Sequence, residues 1–215
     1  MADRITFDDK ADLVTSAAAR INKSTAADWN DIKTVVNSHA DNLESLESTS
    51  PSWAGWASYV DTQYETDDAP YIMLSNANYR LPNNSGTVID SQKPTDINSF
   101  VEVVNLGSYD YSKILGRSGD SIDIMIYFKA KPTSNNDAWL DIWLDIGGSV
   151  GEIYRQTFTF PKGSGVERGI LYAIPSAYNL STWEANGATV YFRSNDILRI
   201  YDINMNIDRN FKARP

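Results

Sequence analysis

The sequence predicts a mainly β protein, with an N-terminal α-helix followed by an antiparallel β-sandwich or jelly roll. Three observations predict this class. Apolar residues recur at helical spacing over residues 25–47, whereas from Tyr71 onward they alternate with polar residues at the period of a half-buried strand. Turn-forming residues separate the alternating runs, and no helical period lies between them. Strands that follow one another in this way form antiparallel sheets packed face to face.

The helix is predicted from a start signal and from an apolar stripe. Thr25, with Asp28 three residues later, resembles a capping box. The stripe follows at spacings of 3, 4, 3, 4 and 3, the a/d pattern of a short trimeric coiled coil or bundle. Val35 widens the stripe, which suits three chains better than two. The alternative is one amphipathic helix packed on its own domain. The predicted trimerisation residues are Trp29, Ile32, Val36, His39, Leu43 and Leu46.

The pattern divides the chain into four segments. Residues 1–23 contain apolar side chains without one clean face, so docking on a partner and a frayed terminus are both open. Residues 24–48 form the helical stalk, and residues 49–70 are interpreted as an aromatic neck without strand alternation. The neck aromatics suit packing at a subunit junction or stacking on sugars. Residues 71–215 form the β-sandwich head.

Eight or nine short strands are expected in the head. The clearest has Leu140, Ile142 and Leu144 on one face, alternating with polar and aromatic residues on the other. Turn sequences such as Asn186-Gly187 bound the runs. Similar alternation is found over 122–128, 139–146, 154–160, 190–192 and 203–207.

Composition excludes several kinds of chemistry. The net charge of −9 argues against nucleic-acid binding, and no apolar run approaches the roughly 20 residues that span a bilayer. The chain has no cysteine and a single histidine, so we expect no catalytic triad, no thiolate metal site and no cofactor. Asp141 and Asp145 lie about 13 Å apart along one strand, too far for a glycosidase pair. The oxygen-bearing side chains on one face of the last strand could bind calcium, with a solvated or subunit-facing polar face as the alternative; these residues are Asp202, Asn204, Asn206 and Asp208.

Two loops and one strand face are candidate binding surfaces. Trp139, Asp141, Trp143 and Asp145 share a face that is typical of either a subunit interface or a carbohydrate site. The loops Lys131–Asp137 and Tyr178–Trp183 are candidate glycan contacts, with ordinary polar turns over a packed Trp183 as the alternative. The candidate contact residues in these loops are Asn135, Asn136, Asp137, Tyr178, Asn179 and Trp183.

Two stretches resemble phage fibre proteins. The stretch 24–37, STAADWNDIKTVVN, is similar to a segment near the start of many phage tail- and head-fibre proteins, where it precedes a trimeric neck. The stretch 181–187, STWEANG, and the stretch 198–203, LRIYDI, look like the closing strands of the jelly-roll heads on such fibres. The family has no catalytic motif to transfer.

The resemblance implies a non-enzymatic structural component of a phage virion. The expected assembly is a homotrimer, bound to a capsid or tail protein through residues 1–23 and to a host-surface polysaccharide through the head. The shortness of the chain favours a head fibre over a tail fibre. Without an apolar leader at its N-terminus, the protein is expected to be made in the host cytoplasm and to reach the virion without secretion. Two alternatives remain: a decoration protein without a receptor, and a glycan-degrading spike enzyme.

Overall fold

A computed structural model describes residues 26–49, 53–134, 137–162 and 165–213, and it divides into two compact units. The first unit comprises Met1–Pro51 and the second Ser52–Pro215. The predicted anchor, residues 1–23, lies outside the described residues. No helix within the described residues is long and apolar enough to span a membrane.

The described part of the first unit is an α-helix, α1, at Ala26–Thr49, close to the predicted range of 25–47. Its side chains are described for residues 30–42. Over this range the predicted stripe is open to solvent, with Ile32 50% and Val36 41% exposed. A single helix is therefore confirmed, while its trimeric association remains a prediction.

The second unit is a sandwich of two antiparallel sheets, as the sequence predicts. The first sheet has the strand order β10-β7-β12-β1-β4, with β2 also paired to β12. The second has the order β5-β6-β11-β8-β9, with β3 also paired to β11. The strands are β1 Gly55–Val60, β2 Tyr71–Met73, β3 Tyr79–Arg80, β4 Thr87–Ile89, β5 Val101–Asn105, β6 Asp110–Ile114, β7 Ser121–Pro132, β8 Trp139–Asp145, β9 Glu152–Thr159, β10 Arg168–Tyr178, β11 Ala188–Ser194 and β12 Leu198–Phe211, and a short helix, α2, lies at Ser181–Asn186.

The core lies between the sheets and is built from the predicted alternating residues. Ile124 and Ile126 of β7 and Leu140 and Ile142 of β8 are completely buried. The Phe128 ring of the first sheet contacts a ring of the second, Phe192, at a centroid distance of 5.1 Å. Burying one face of each strand in this way fixes the register, because a slip by one residue would expose the whole apolar set.

One strand occupies residues that the sequence analysis assigned to the neck. Within the range 49–70, β1 pairs with β12 on one side and with β4 on the other. Ala57 and Tyr59 point into the core and are 0% and 2% exposed. The interpretation of this segment as lacking strand structure is therefore corrected, and the sandwich begins well before Tyr71. Small residues at alternate positions hid the two-residue period.

The register defines two ends of the sandwich. At one end, Gly55 lies opposite Arg209, and Ser121 lies opposite Tyr178. We call this the entry end, because the chain enters the sandwich there. At the other end, Leu198 pairs with Pro132. We call this the far end. Since β7 extends from one end to the other over 12 residues, the two ends are roughly 40 Å apart.

Candidate interaction surfaces

The predicted receptor loops lie at opposite ends of the sandwich. Tyr178 is at the entry end and is 57% exposed. Asp137 follows β7 at the far end, where its exposed carboxylate is 3.7 Å from the ammonium of Lys162. Asn135 and Asn136 lie outside the described residues. The fold therefore does not combine the two loops into one binding site.

Two of the predicted glycan contacts are inaccessible. Trp183 and Asn179 are both 0% exposed. The indole nitrogen of Trp183 donates to the carbonyl oxygen of Ile114 at 3.1 Å, which satisfies its polar group inside the core. Trp183 thus anchors α2 to the sandwich and offers no ring to a sugar. The proposal that Trp183 and Asn179 contact a glycan is corrected.

The outer face of the second sheet carries a ladder of arginine and aromatic side chains. The Arg155 guanidinium lies 4.4 Å from the ring centroid of Trp143. Trp143 stacks on Tyr191 at 5.7 Å and an interplanar angle of 12°. Arg80 covers the next position, 5.5 Å from the ring centroid of Tyr191 and 5.1 Å from that of Tyr111. Each contact is a cation–π or stacking interaction within the chain.

This ladder changes the interpretation of the face predicted from β8. Trp143 is only 4% exposed, and Asp141 accepts hydrogen bonds from Arg155 at 2.7 Å and from Thr157 at 2.6 Å. The bond that Arg155 makes to Glu152 lowers the pKa of that carboxyl group. The Trp143 ring and the Asp141 carboxylate, which suggested an interface, therefore make their contacts with other side chains of the same sheet. The sequence analysis missed Arg155 and Arg80, because neither is near Trp143 in sequence.

A buried ion cluster closes the entry end. The Arg209 side chain is 1% exposed and lies 3.1 Å from a carboxylate oxygen of the equally buried Asp120. It also donates to Asp96 and, at 2.7 Å, to the carbonyl oxygen of Trp53. The hydrogen bond from Arg209, with a further one from Lys212, holds the pKa of Asp96 well below its usual range. The cluster ties the entering chain to β12 and has a structural role.

Two carboxylates face each other on the outer side of the first sheet. Asp123 of β7 is paired with Asp208 of β12, and Trp56 of β1 lies beside Asp208 in the same row. Burial, followed by the charge of Asp123, raises the pKa of Asp208. Asp123 accepts hydrogen bonds from the Ser176 backbone at 2.6 Å and from the Asn210 amide at 2.7 Å. Two acids in different environments are the arrangement that acid–base chemistry uses.

Comparisons with known proteins identify no family. No protein-family model matches the chain. No curated protein matches it either. Among the solved structures that resemble it are three with TM-scores below 0.5, two of which come from viruses.

The first is Eiger TNF from S. frugiperda, with a TM-score of 0.47 and 6% identity over 75% of this chain and 96% of that one. The second is the PRD1 vertex protein P5, with a TM-score of 0.37 and 13% identity over 72% of this chain and 96% of that one. The third is the Cowpea mosaic virus top component, with a TM-score of 0.25 and 13% identity over 75% of this chain and 82% of that one. At these scores the likenesses assign no function.

Proposed function

We propose that the protein is a structural component of a bacteriophage virion, a homotrimeric fibre in which α1 is the stalk and the sandwich is an adhesive head. The resemblance of residues 24–37 and of the closing strands to phage fibres supports this role. Within this class, we favour a head fibre over a tail fibre. Residues 1–23 would bind the capsid or tail protein.

The exposed stripe of α1 carries the proposal. Ile32, Val35 and Val36 are 50%, 54% and 41% exposed, and His39 lies on the same side of the helix. Three large apolar side chains on one side of a helix make a surface that association would bury. At about 25 cal/mol per Å² of apolar surface, burying such a stripe in three copies contributes several kcal/mol to the trimer.

The head would act by multivalent attachment. Three copies on one stalk place three weak binding sites close together, so the assembly binds a decorated surface far more tightly than one copy does. The far-end loop that includes Asp137 is a candidate contact, because it lies opposite the entry of the chain. Tyr178 is a second exposed candidate, at the entry end.

Sedimentation tests the assembly with a matched pair of variants. Ile32→Asp combined with Val36→Asp places two charges in the stripe, at a cost of several kcal/mol for each unpaired buried charge. Thr34→Asp combined with Ser38→Asp adds the same charges at the same spacing on another side of the helix, where both residues are exposed. We expect the stripe variant to be monomeric and the control to remain trimeric. A monomeric wild type at micromolar concentration would refute the proposal.

Glycan hydrolysis is the second candidate function, favoured by the Asp123–Asp208 pair beside Trp56. Residues directly opposite on antiparallel strands have Cβ atoms about 5 Å apart, so the two carboxyl groups lie in the same neighbourhood, as the carboxylates of a glycosidase must. Asp208, with its raised pKa, would be the acid, and Asp123 the nucleophile. Incubating the chain with host surface glycan and assaying new reducing ends tests this function. Activity that Asp208→Asn abolishes would favour the enzyme over a purely adhesive fibre.

A further inference from the structure

A pocket of about 210 Å³ opens beside the outer face of the second sheet, between the β8–β9 turn and the end of α2. Its polar side chains come from three elements that are separate in sequence: β8, α2 and β11. It is lined by Asp145, Gly147, Asn186, Gly187, Thr189 and Tyr191.

The wall of the pocket is fixed by hydrogen bonds from one side chain. The amide nitrogen of Asn186 donates to the carbonyl oxygens of Ile146 at 3.2 Å and Thr182 at 2.9 Å. These bonds join α2 to the turn of the hairpin. Gly187 follows in the left-handed region at φ 71°, where a Cβ atom would lie 2.4 Å from the side chain of Lys113. Glycine therefore permits both this backbone conformation and the close approach of the Lys113 side chain.

Four polar side-chain atoms around the pocket have no hydrogen-bond partner in the part of the chain that the structure describes. Asp145 accepts one hydrogen bond, from the Gly147 backbone at 2.7 Å, through one carboxylate oxygen. Its other oxygen, the amide oxygen of Asn186 and the hydroxyls of Thr189 and Tyr191 make no hydrogen bond with any described residue. Asp141 on the same face differs, because both of its oxygens accept hydrogen bonds from side chains of β9.

This set of free groups indicates a ligand rich in hydroxyls. The Asp145 carboxylate and the Asn186 oxygen only accept hydrogen bonds, so the ligand must donate several. The faces of the Tyr191 ring are covered by Trp143 and Arg80, which leaves its edge and hydroxyl for the pocket. The negative charge of Asp145 disfavours acidic sugars. The volume is below the roughly 300 Å³ at which pockets for drug-sized ligands begin, so it suits one ring.

We propose that this pocket binds one neutral monosaccharide unit of a glycan, with Asp145, Asn186 and Thr189 accepting its hydroxyl hydrogens. The inference rests on the proposed adhesive function for the source of the glycan, a host surface. The binding itself is a property of the isolated chain. It places a glycan contact on the flank of the sandwich, separate from the predicted loops.

The test is a titration of the ¹⁵N-labelled full chain with the methyl glycosides of glucose, galactose and mannose at millimolar concentration. We expect at least one of these sugars to shift the backbone amide of Gly147 and the side-chain amide of Asn186. Asp145→Asn and Thr189→Val should each weaken that binding by about tenfold or more, since each removes a ligand contact. Thr159→Val is the control, because it makes the same change on an exposed residue of the same sheet, away from the pocket.

Several outcomes would overturn the assignment. They are no shift with any of the sugars, shifts that both pocket variants retain, and equal weakening by Thr159→Val. Shifts at the pocket with CaCl₂ and none with sugar would also overturn it, in favour of a cation site. None of these results alters the sedimentation test of the trimer, so failure of the pocket and failure of the fibre proposal are distinguishable.

Discussion

Truncating Trp183 of α2 should destabilise the protein far more than truncating Tyr178, the last residue of β10. Trp183 is completely buried and its indole donates to Ile114, whereas Tyr178 is 57% exposed. Replacing a buried tryptophan by alanine costs about 3–5 kcal/mol, and the carbonyl oxygen of Ile114 then also loses its donor. Replacing a largely exposed tyrosine on the surface typically changes the free energy of unfolding by within about 0.5 kcal/mol.

Urea unfolding of the single variants measures this difference directly. We expect Trp183→Ala to lower the free energy of unfolding by about 4 kcal/mol, which is a large part of the 5–15 kcal/mol typical of a domain. Trp183→Phe keeps most of the ring volume and loses only the hydrogen bond, so it should cost distinctly less. All proteins must be compared at one concentration, because association adds to apparent stability. A Trp183→Ala protein as stable as wild type would refute the placement of this ring in the core.

Two further predictions concern the ion cluster at the entry end. Arg209→Met should lower the free energy of unfolding by about 3–5 kcal/mol, because it leaves the Asp120 carboxylate buried without its main partner. Urea unfolding measures this loss, and an unchanged unfolding midpoint would contradict the prediction. Asp96→Asn should destabilise the protein at pH 7, and this deficit should shrink as the pH falls below about 4, the range in which the unfolded aspartate becomes protonated. The sign follows from the lowered pKa of Asp96 in the folded protein. A carboxyl group with a lowered pKa stabilises the fold at pH values above its unfolded pKa. That stabilisation is lost as the pH falls through the pKa of the folded state. Unfolding midpoints of wild type and variant at pH 7 and pH 3 check it, and a deficit that is constant with pH would rule out ionisation as the cause.

Local patterns predicted the helix and the long strands, because the period of apolar residues is written along each element. The apolar residues of both alternating runs face the core, as their alternation indicates. They are Ile122, Ile124, Ile126 and Phe128 in the first run and Leu140, Ile142, Leu144 and Ile146 in the second. Strand β1 was missed because Ala57 and Ser58 give almost no contrast in hydropathy. The outward alternation of Thr189, Tyr191 and Arg193 could have indicated Tyr191 as a surface residue.

Contacts between strands could not be predicted in the same way. Arg155 covers Trp143 only because β9 pairs with β8 in a particular register, which includes an irregularity between Ile142 and Leu144. Arg209 alternates with apolar residues at a core-facing position, and its partners Asp96 and Asp120 are 113 and 89 residues away in sequence. No local signal in the sequence reveals such a buried ion pair. The desolvation cost of its charges and the attraction that offsets this cost both arise only in the folded arrangement.

The pairing of β1 with β12 has a consequence for how the head tolerates change. The chain enters the sandwich at Trp53, and its last described residues, Phe211 to Ala213, return to the same end, where the backbone of Ala213 donates to Asp120. The first and last described segments of the sandwich are thus tied to one pole, and the segment between Pro132 and Trp139 at the other pole contains neither. Insertions or sequence exchanges in that loop leave the ion cluster and the chain entry intact. The fold thereby separates the part of the head that must be kept from the part that is free to diversify.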